Sequence, residues 1–204
     1  HVIANTIPNC VTYDPTYGYE VAVIVRDGIN RMYGENQEDI YYYLTTLNEN
    51  YKQPAMPEGA MEGILKGIYK LNTVEASNDY KVKLLGSGSI LEQVRVASEV
   101  LAHDYGIASE VYSVTSYNEL TRQAQDNERN NLLNINEEDK ISYIDEVLGN
   151  DDENIIISTT DYIKSYSEQL SPFVKGSFKA LGTDGYGRSD SRENLRAFFE
   201  VDTD

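Results

Sequence analysis

Three features of this sequence combine residue types and spacings that could do chemistry. Gly86-Ser87-Gly88-Ser89 places glycines and hydroxyls in one turn. Ahead of a helix, such a turn presents backbone N–H groups that can cradle a phosphate. It lacks the Gly-Lys-Ser/Thr ending of a P-loop and the third glycine of a dinucleotide fingerprint. The plainer reading is a tight strand-to-helix turn. Gly182-Thr183-Asp184-Gly185-Tyr186-Gly187-Arg188-Ser189-Asp190-Ser191-Arg192 is the most distinctive stretch. Its glycines permit unusual backbone angles. Its arginines and aspartates can pair with one another and fix the loop. Arg188 and Arg192 can instead receive a carboxylate or phosphate as planar forks. A structural or interface loop is the leading reading, and an anion site is the alternative.

The third feature is the pair of histidines, His1 and His103. With only these two, a multi-histidine metal site is disfavoured. His103 falls at the end of a helix, off its apolar stripe, and reads as an exposed helix-end residue. A chain-terminal His1 is ordinarily disordered, unless it belongs with upstream neighbours. Cys10 is the sole cysteine. It cannot form an intrachain disulfide or a Cys-x-x-Cys pair. It reads as a small buried side chain in a reducing compartment, with a reactive thiol as the alternative. The acidic clusters Glu35–Asp39, Glu137–Asp139 and Asp151–Glu153 read as solvated loops. None has the spacing of a calcium loop.

These residues sit in a chain of 204 amino acids with 34 acidic and 17 basic residues, a net charge of −17. The charge argues against non-specific nucleic-acid binding, which needs Lys and Arg to neutralise phosphates. It also disfavours an anionic membrane surface. No apolar run is long enough for a transmembrane helix, and the start has no signal-peptide pattern. With 40% hydrophobic residues the chain is expected to fold rather than remain disordered. The 17 tyrosines lack basic interleaving, so they read as core or interface residues rather than a base-stacking surface.

The elements that must position these features follow from periodicity. Asp14-Pro15 reads as a helix start with Asp as cap. Val21, Ile24, Val25, Ile29 and Met32 continue at helical spacing to Gly34. Ile40–Thr46 reads as a buried strand. A short helix carries Met61, Ile64, Leu65 and Ile68. The polar stretch 72–79 reads as a linker and sets a domain boundary. Beyond it, strands are predicted at Lys81–Gly86, Val111–Val114, Ile155–Ile157 and Phe178–Leu181. Ile155–Ile157 reads as a central strand. Helices are predicted at 90–105, 119–132, 141–148 and 162–170. A last helix follows the cap-like pair Asp190 and Glu193. This alternation predicts an α/β fold, an open, mainly parallel sheet with helices on both faces.

The residues also carry a resemblance. Thr6-Ile7-Pro8-Asn9-Cys10, Tyr13-Asp14-Pro15, Tyr19–Ile24 and Arg31-Met32-Tyr33-Gly34 resemble the homodimeric-type pyruvate dehydrogenase first component of bacteria. The match runs on through Asn48–Tyr51, Pro54–Ala60, Lys66–Leu71, Leu84–Leu91, Val111–Ser116, Ser158–Tyr162 and Leu181–Arg196. It covers nearly the whole chain. Departures cluster at 123–153. There Asn127 replaces the family's Cys, and Asn130–Asn134 replaces a Trp-Asn-Met-Leu-His-Pro-like pattern. That change bears on the loop's partner contacts and leaves the fold expectation intact.

The resemblance implies that residues 1–72 are the C-terminal part of a middle, pyrimidine-binding domain. Residues 73–204 would be a transketolase-like C-terminal domain. It implies a cytoplasmic bacterial homodimer that decarboxylates pyruvate with thiamine diphosphate and magnesium. The acetyl group would then pass to the lipoyl group of dihydrolipoyl acetyltransferase. The family's Gly-Asp-Gly…Asn motif and its cofactor-activating Glu lie upstream of the matched region, so residues outside this chain would bind both cofactors. The chain is expected to be an inactive piece of that enzyme, serving mainly as dimer surface and buttress. His1 aligns with the end of a histidine-bearing segment near the family's active centre and is the one catalytic candidate. The rival expectation is a non-enzymatic binding or assembly module built on the Thr183–Arg192 loop.

Overall fold

The computed structural model describes residues 1–185 and 188–203. Its main sheet has five strands: β3 (Ile68–Val74), β4 (Lys81–Gly86), β5 (Ala108–Val114), β6 (Ile155–Thr159) and β7 (Ser177–Leu181). Their order is β3-β5-β4-β6-β7. β4, β5, β6 and β7 run parallel, and β3 lies antiparallel on the β5 edge. Alternation on the strands feeds two cores. Val82, Leu84 and Val111 meet Leu91 and Val94 of α3 (Leu91–Tyr105) on one face. Leu85, Tyr112, Val114 and Ile156 face the other way, toward α4 (Tyr117–Leu133), α5 (Tyr143–Leu148) and α6 (Ser165–Glu168). Helices thus cover both faces of a mainly parallel sheet, as expected.

A smaller unit precedes this sheet. β1 (Cys10–Tyr13) and β2 (Tyr41–Leu44) pair in parallel. They pack with α1 (Gly18–Tyr33) and α2 (Ala60–Lys66) around Val11, Tyr13, Val23, Ile24 and Ile64. Tyr69 of β3 joins this cluster while its neighbour Ile68 joins the main core. Gly67 ends α2 in a left-handed conformation at φ 106°. A Cβ there would lie 2.6 Å from the Ser116 carbonyl oxygen, so only glycine fits.

Several elements differ from the expectation. α1 starts at Gly18, not at Pro15. Asp14 does not cap it but turns inward and is buried. The tyrosine strand β2 is an edge with Tyr41 and Tyr43 exposed, not a buried strand. Residues 72–74 complete β3 rather than opening a linker. Strand β6 is interior, between β4 and β7, as expected, but Ile155 at its start is exposed. The helix expected at 162–170 shortens to Ser165–Glu168. The last helix, α7 (Arg192–Phe198), is capped by Ser191, whose hydroxyl accepts from Asn194 N. Asp190 instead accepts from Ser191 N and Asn194 Nδ2. No helix among the described residues is long and apolar enough to cross a membrane.

Candidate functional site

The carboxyl ends of β1, β2, β4 and β6 converge on one polar cluster. The ends of parallel strands are where open α/β sheets place their sites. Asp14 follows β1 and is 1% exposed. Its backbone N–H donates to Thr115 O and its carbonyl accepts from Gly88 N. Gly88 sits at φ +60°, and a Cβ there would lie 2.8 Å from Asp14 Oδ2. Gly86–Ser89 is therefore the tight turn of the plainer reading. A carboxylate lies against it where a phosphate would have to enter, and like charges exclude one another. Thr45, just beyond β2, donates its hydroxyl to Asp14 Oδ1 at 2.6 Å. Burial raises the Asp14 carboxyl from 3.8 to about 6, against the pull of that hydrogen bond.

His1 belongs to the same cluster. Its ring stacks on Tyr166 of α6, with centroids 4.6 Å apart. Tyr43 of β2 and Tyr162 beyond β6 contact it edge-on at 5.2 and 5.1 Å. Nε2 lies 2.9 Å from Thr45 Oγ1. Its carbonyl accepts from Asn5 N and from Asn118 Nδ2 of α4. Nδ1 is buried and has no partner among the described residues. His103, in contrast, is exposed at the end of α3, and Cys10 is buried in β1. Both follow the plainer sequence reading.

The glycine-rich stretch lies beside this cluster, with Tyr186 and Gly187 outside the described residues. Its arginines do not pair with its aspartates. Arg188 lies over the Phe198 ring at 3.9 Å, and Arg192 pairs with Glu49 at 3.1 Å. Asp184 pairs with Lys164 at 2.9 Å. A cavity of about 310 Å³ opens here between Arg188, Arg192, Arg196, Asp161, Leu47 and Phe199. Its cations are largely answered by acids of the same chain, which leaves little for an added anion.

Two important residues escaped the sequence reading. Arg196 of α7 has a side chain only 6% exposed and bridges Glu49 at 3.1 Å and Asp161 at 3.0 Å. It also donates to Ser89 Oγ at 2.9 Å. Glu20 is fully buried. It accepts from Thr16 N, Tyr17 N, Tyr69 Oη and Ser113 Oγ. Burial pushes its carboxyl up, and those four donors oppose the shift. For Arg196 the partners lie far away in sequence, whereas Glu20 also takes two donors from residues three and four positions before it at the start of α1.

The described residues do not by themselves fit a thiamine diphosphate–magnesium site. They hold no group of three or more His, Cys, Asp or Glu side chains arranged for a metal. The one turn suited to a phosphate is closed by Asp14. No step through the cofactor can be derived from this chain.

Residues 67–202 match the family model of the transketolase-like TK C-terminal domain. The chain belongs to that family. The transketolase-like C-terminal domain is preceded by residues 1–54, which match the model of the pyruvate dehydrogenase E1 component middle domain. The chain is 59% identical over 203 residues to the pyruvate dehydrogenase E1 component of Escherichia coli K12, covering 99% of this chain and 22% of that protein. It is 52% identical to the E1 component of Pseudomonas aeruginosa, covering 99% of this chain and 23% of that protein. The chain thus spans about a fifth of the length of these relatives. The resemblance read from the sequence is borne out. Transketolase of Campylobacter jejuni superposes with a TM-score of 0.66 at 19% identity, over 99% of this chain and 26% of that one. That of Pichia stipitis gives 0.64 at 17% identity, over 99% and 25%. These two likenesses bear on the fold alone.

Proposed function

We propose that this chain works as part of a cytoplasmic, homodimeric pyruvate dehydrogenase first component. That enzyme decarboxylates pyruvate with thiamine diphosphate and magnesium. It passes the acetyl group to the lipoyl group of dihydrolipoyl acetyltransferase. The observation that carries this reading is 59% identity across nearly the whole chain to a protein of that name. In this reading residues 1–72 complete a middle domain and residues 73–204 form the C-terminal domain, with β3 crossing the join. Residues outside this chain hold both cofactors. This chain supplies His1, braced by three tyrosines, at the edge of the reaction centre. Its remaining role is buttress and dimer surface. Val25, Ile29 and Tyr33 support the dimer, because they leave an apolar stripe of α1 exposed at four-residue spacing.

The test is turnover by the full-length protein that contains this chain. Pyruvate decarboxylation that depends on thiamine diphosphate and magnesium is expected, together with a roughly hundredfold loss in His1→Gln. Absence of pyruvate turnover sinks the enzyme assignment. Unchanged turnover in His1→Gln removes His1 from the reaction centre.

A further inference from the structure

A short chain of hydrogen bonds that ends on a buried carboxylate decides which nitrogen of His1 carries its proton. Thr45 has one hydroxyl hydrogen. It goes to Asp14 Oδ1 at 2.6 Å rather than to the Tyr13 carbonyl at 3.4 Å. The nearer acceptor is also the charged one. With its hydrogen committed, the Thr45 oxygen can only accept from the ring. Nε2, 2.9 Å away, must therefore be protonated. Nδ1 is left with the free lone pair, and it is the buried ring atom without a partner among the described residues.

The surroundings hold this arrangement in place. Tyr166 fixes the ring plane, and Tyr43 and Tyr162 close its edges. Asn118 and Asn5 anchor the His1 carbonyl. Asp14 is held at the other end by Gly88, whose N–H donates to the Asp14 carbonyl and whose missing side chain leaves room for Oδ2. We propose that Asp14 and Thr45 are positioning residues that lock His1 as its Nε2–H tautomer and so leave Nδ1 as the acceptor atom of the ring. This rests on the reading of His1 as a reaction-centre residue. The orienting carboxylate acts here through a hydroxyl rather than by touching the ring. Its role is the one a carboxylate plays toward a general-base histidine, where loss of the right tautomer is costly.

The test uses the full-length protein carrying 15N-labelled histidine. The His1 signals are those lost in His1→Gln. The unmodified protein is expected to show a protonated Nε2 and a bare Nδ1. Thr45→Val removes the hydroxyl at nearly constant volume and is expected to release a mixture of tautomers. Thr45→Ser keeps the hydroxyl and is expected to restore the original pattern. Turnover should follow: a kcat loss of roughly tenfold or more in Thr45→Val, KM for pyruvate within about twofold, and recovery in Thr45→Ser. A proton on Nδ1 in the unmodified protein overturns the proposal, whatever the variants do to folding. So does a Thr45→Val spectrum identical to the original. If the tautomer depends on Thr45 but turnover does not, the lock stands and the catalytic reading of His1 fails. If His1→Gln loses turnover while neither Thr45 variant changes spectrum or rate, the lock fails and the catalytic reading stands.

Discussion

Asp14 shows at the scale of one residue how position in the fold changes a side chain's chemistry. In the sequence it precedes Pro15 and looks like a helix cap. In the fold it is buried beneath Thr45 and against Gly88. Burial raises its carboxyl from 3.8 to about 6. Between these values the folded chain holds a proton that the unfolded chain has released, so stability falls as pH rises through this window. The penalty is complete above about pH 6 and is on the order of 3 kcal/mol. Asp14→Asn keeps an oxygen for Thr45 and has no proton to lose. It is expected to be more stable than the unmodified protein at pH 7 and no more stable near pH 4. Urea unfolding at the two pH values measures this, and an equal gain at both would show that ionisation is not the cause. A cluster that weakens its own fold at neutral pH is what a retained functional site looks like. None of this was legible locally, because Thr45, Gly88 and Tyr162 reach Asp14 from 31, 74 and 148 residues away.

Elements with strong periodicity were legible, and elements defined by their neighbours were not. β4, α3, β5 and α4 appear close to where alternation and helical spacing put them. β3 was missed. Its polar residues Lys70, Asn72 and Thr73 resemble a linker, and its identity as a strand comes from antiparallel pairing with β5 some forty residues on. Glu20 ties these elements together. One buried carboxylate takes hydrogen bonds from the N-terminus of α1, from Tyr69 on β3 and from Ser113 on β5. Tyr69 spends its hydrogen on Glu20, so Tyr19 of α1 must donate to Tyr69. Glu20→Ala leaves four donors unpaired and is expected to cost about 3 kcal/mol or more. Ser113→Ala removes one donor of the four and is expected to cost about 1 kcal/mol. Chemical denaturation of both variants checks the ordering. A Glu20→Ala cost no larger than that of Ser113→Ala would mean that the carboxylate does not join these elements.

Arg196 operates at the scale of the whole molecule, because it links three segments that are distant in sequence. It stands on α7 near the C-terminal end and reaches Glu49 beyond β2, Ser89 ahead of α3 and Asp161 beyond β6. One guanidinium thus adds a joint between the small N-terminal unit and the five-stranded sheet to those made by β3, Glu20 and the backbone of Asp14. Replacing both signs of such a cluster with apolar groups can be nearly neutral, but removing one partner strands the others. Arg196→Met keeps most of the side-chain bulk, strips Asp161 of its cation and leaves Glu49 with the more exposed Arg192 alone. Both acids are partly exposed, at 24% and 20%, so solvent softens the loss to about 2–3 kcal/mol. For a chain of this size that lowers Tm by about 4–12 °C. Adding Glu49→Gln to Arg196→Met is expected to recover part of the loss, because the repulsion between Glu49 and the unpaired Asp161 goes. The two changes should therefore couple rather than add. Arg192, also paired with Glu49 but far more exposed, sets the comparison: Arg192→Ala is expected to cost less than about 1 kcal/mol. Thermal unfolding of the three variants decides the matter. If Arg192→Ala costs as much as Arg196→Met, the buried arginine cluster is not one of the joints between the two units, and β3, Glu20 and the backbone bonds of Asp14 carry the join.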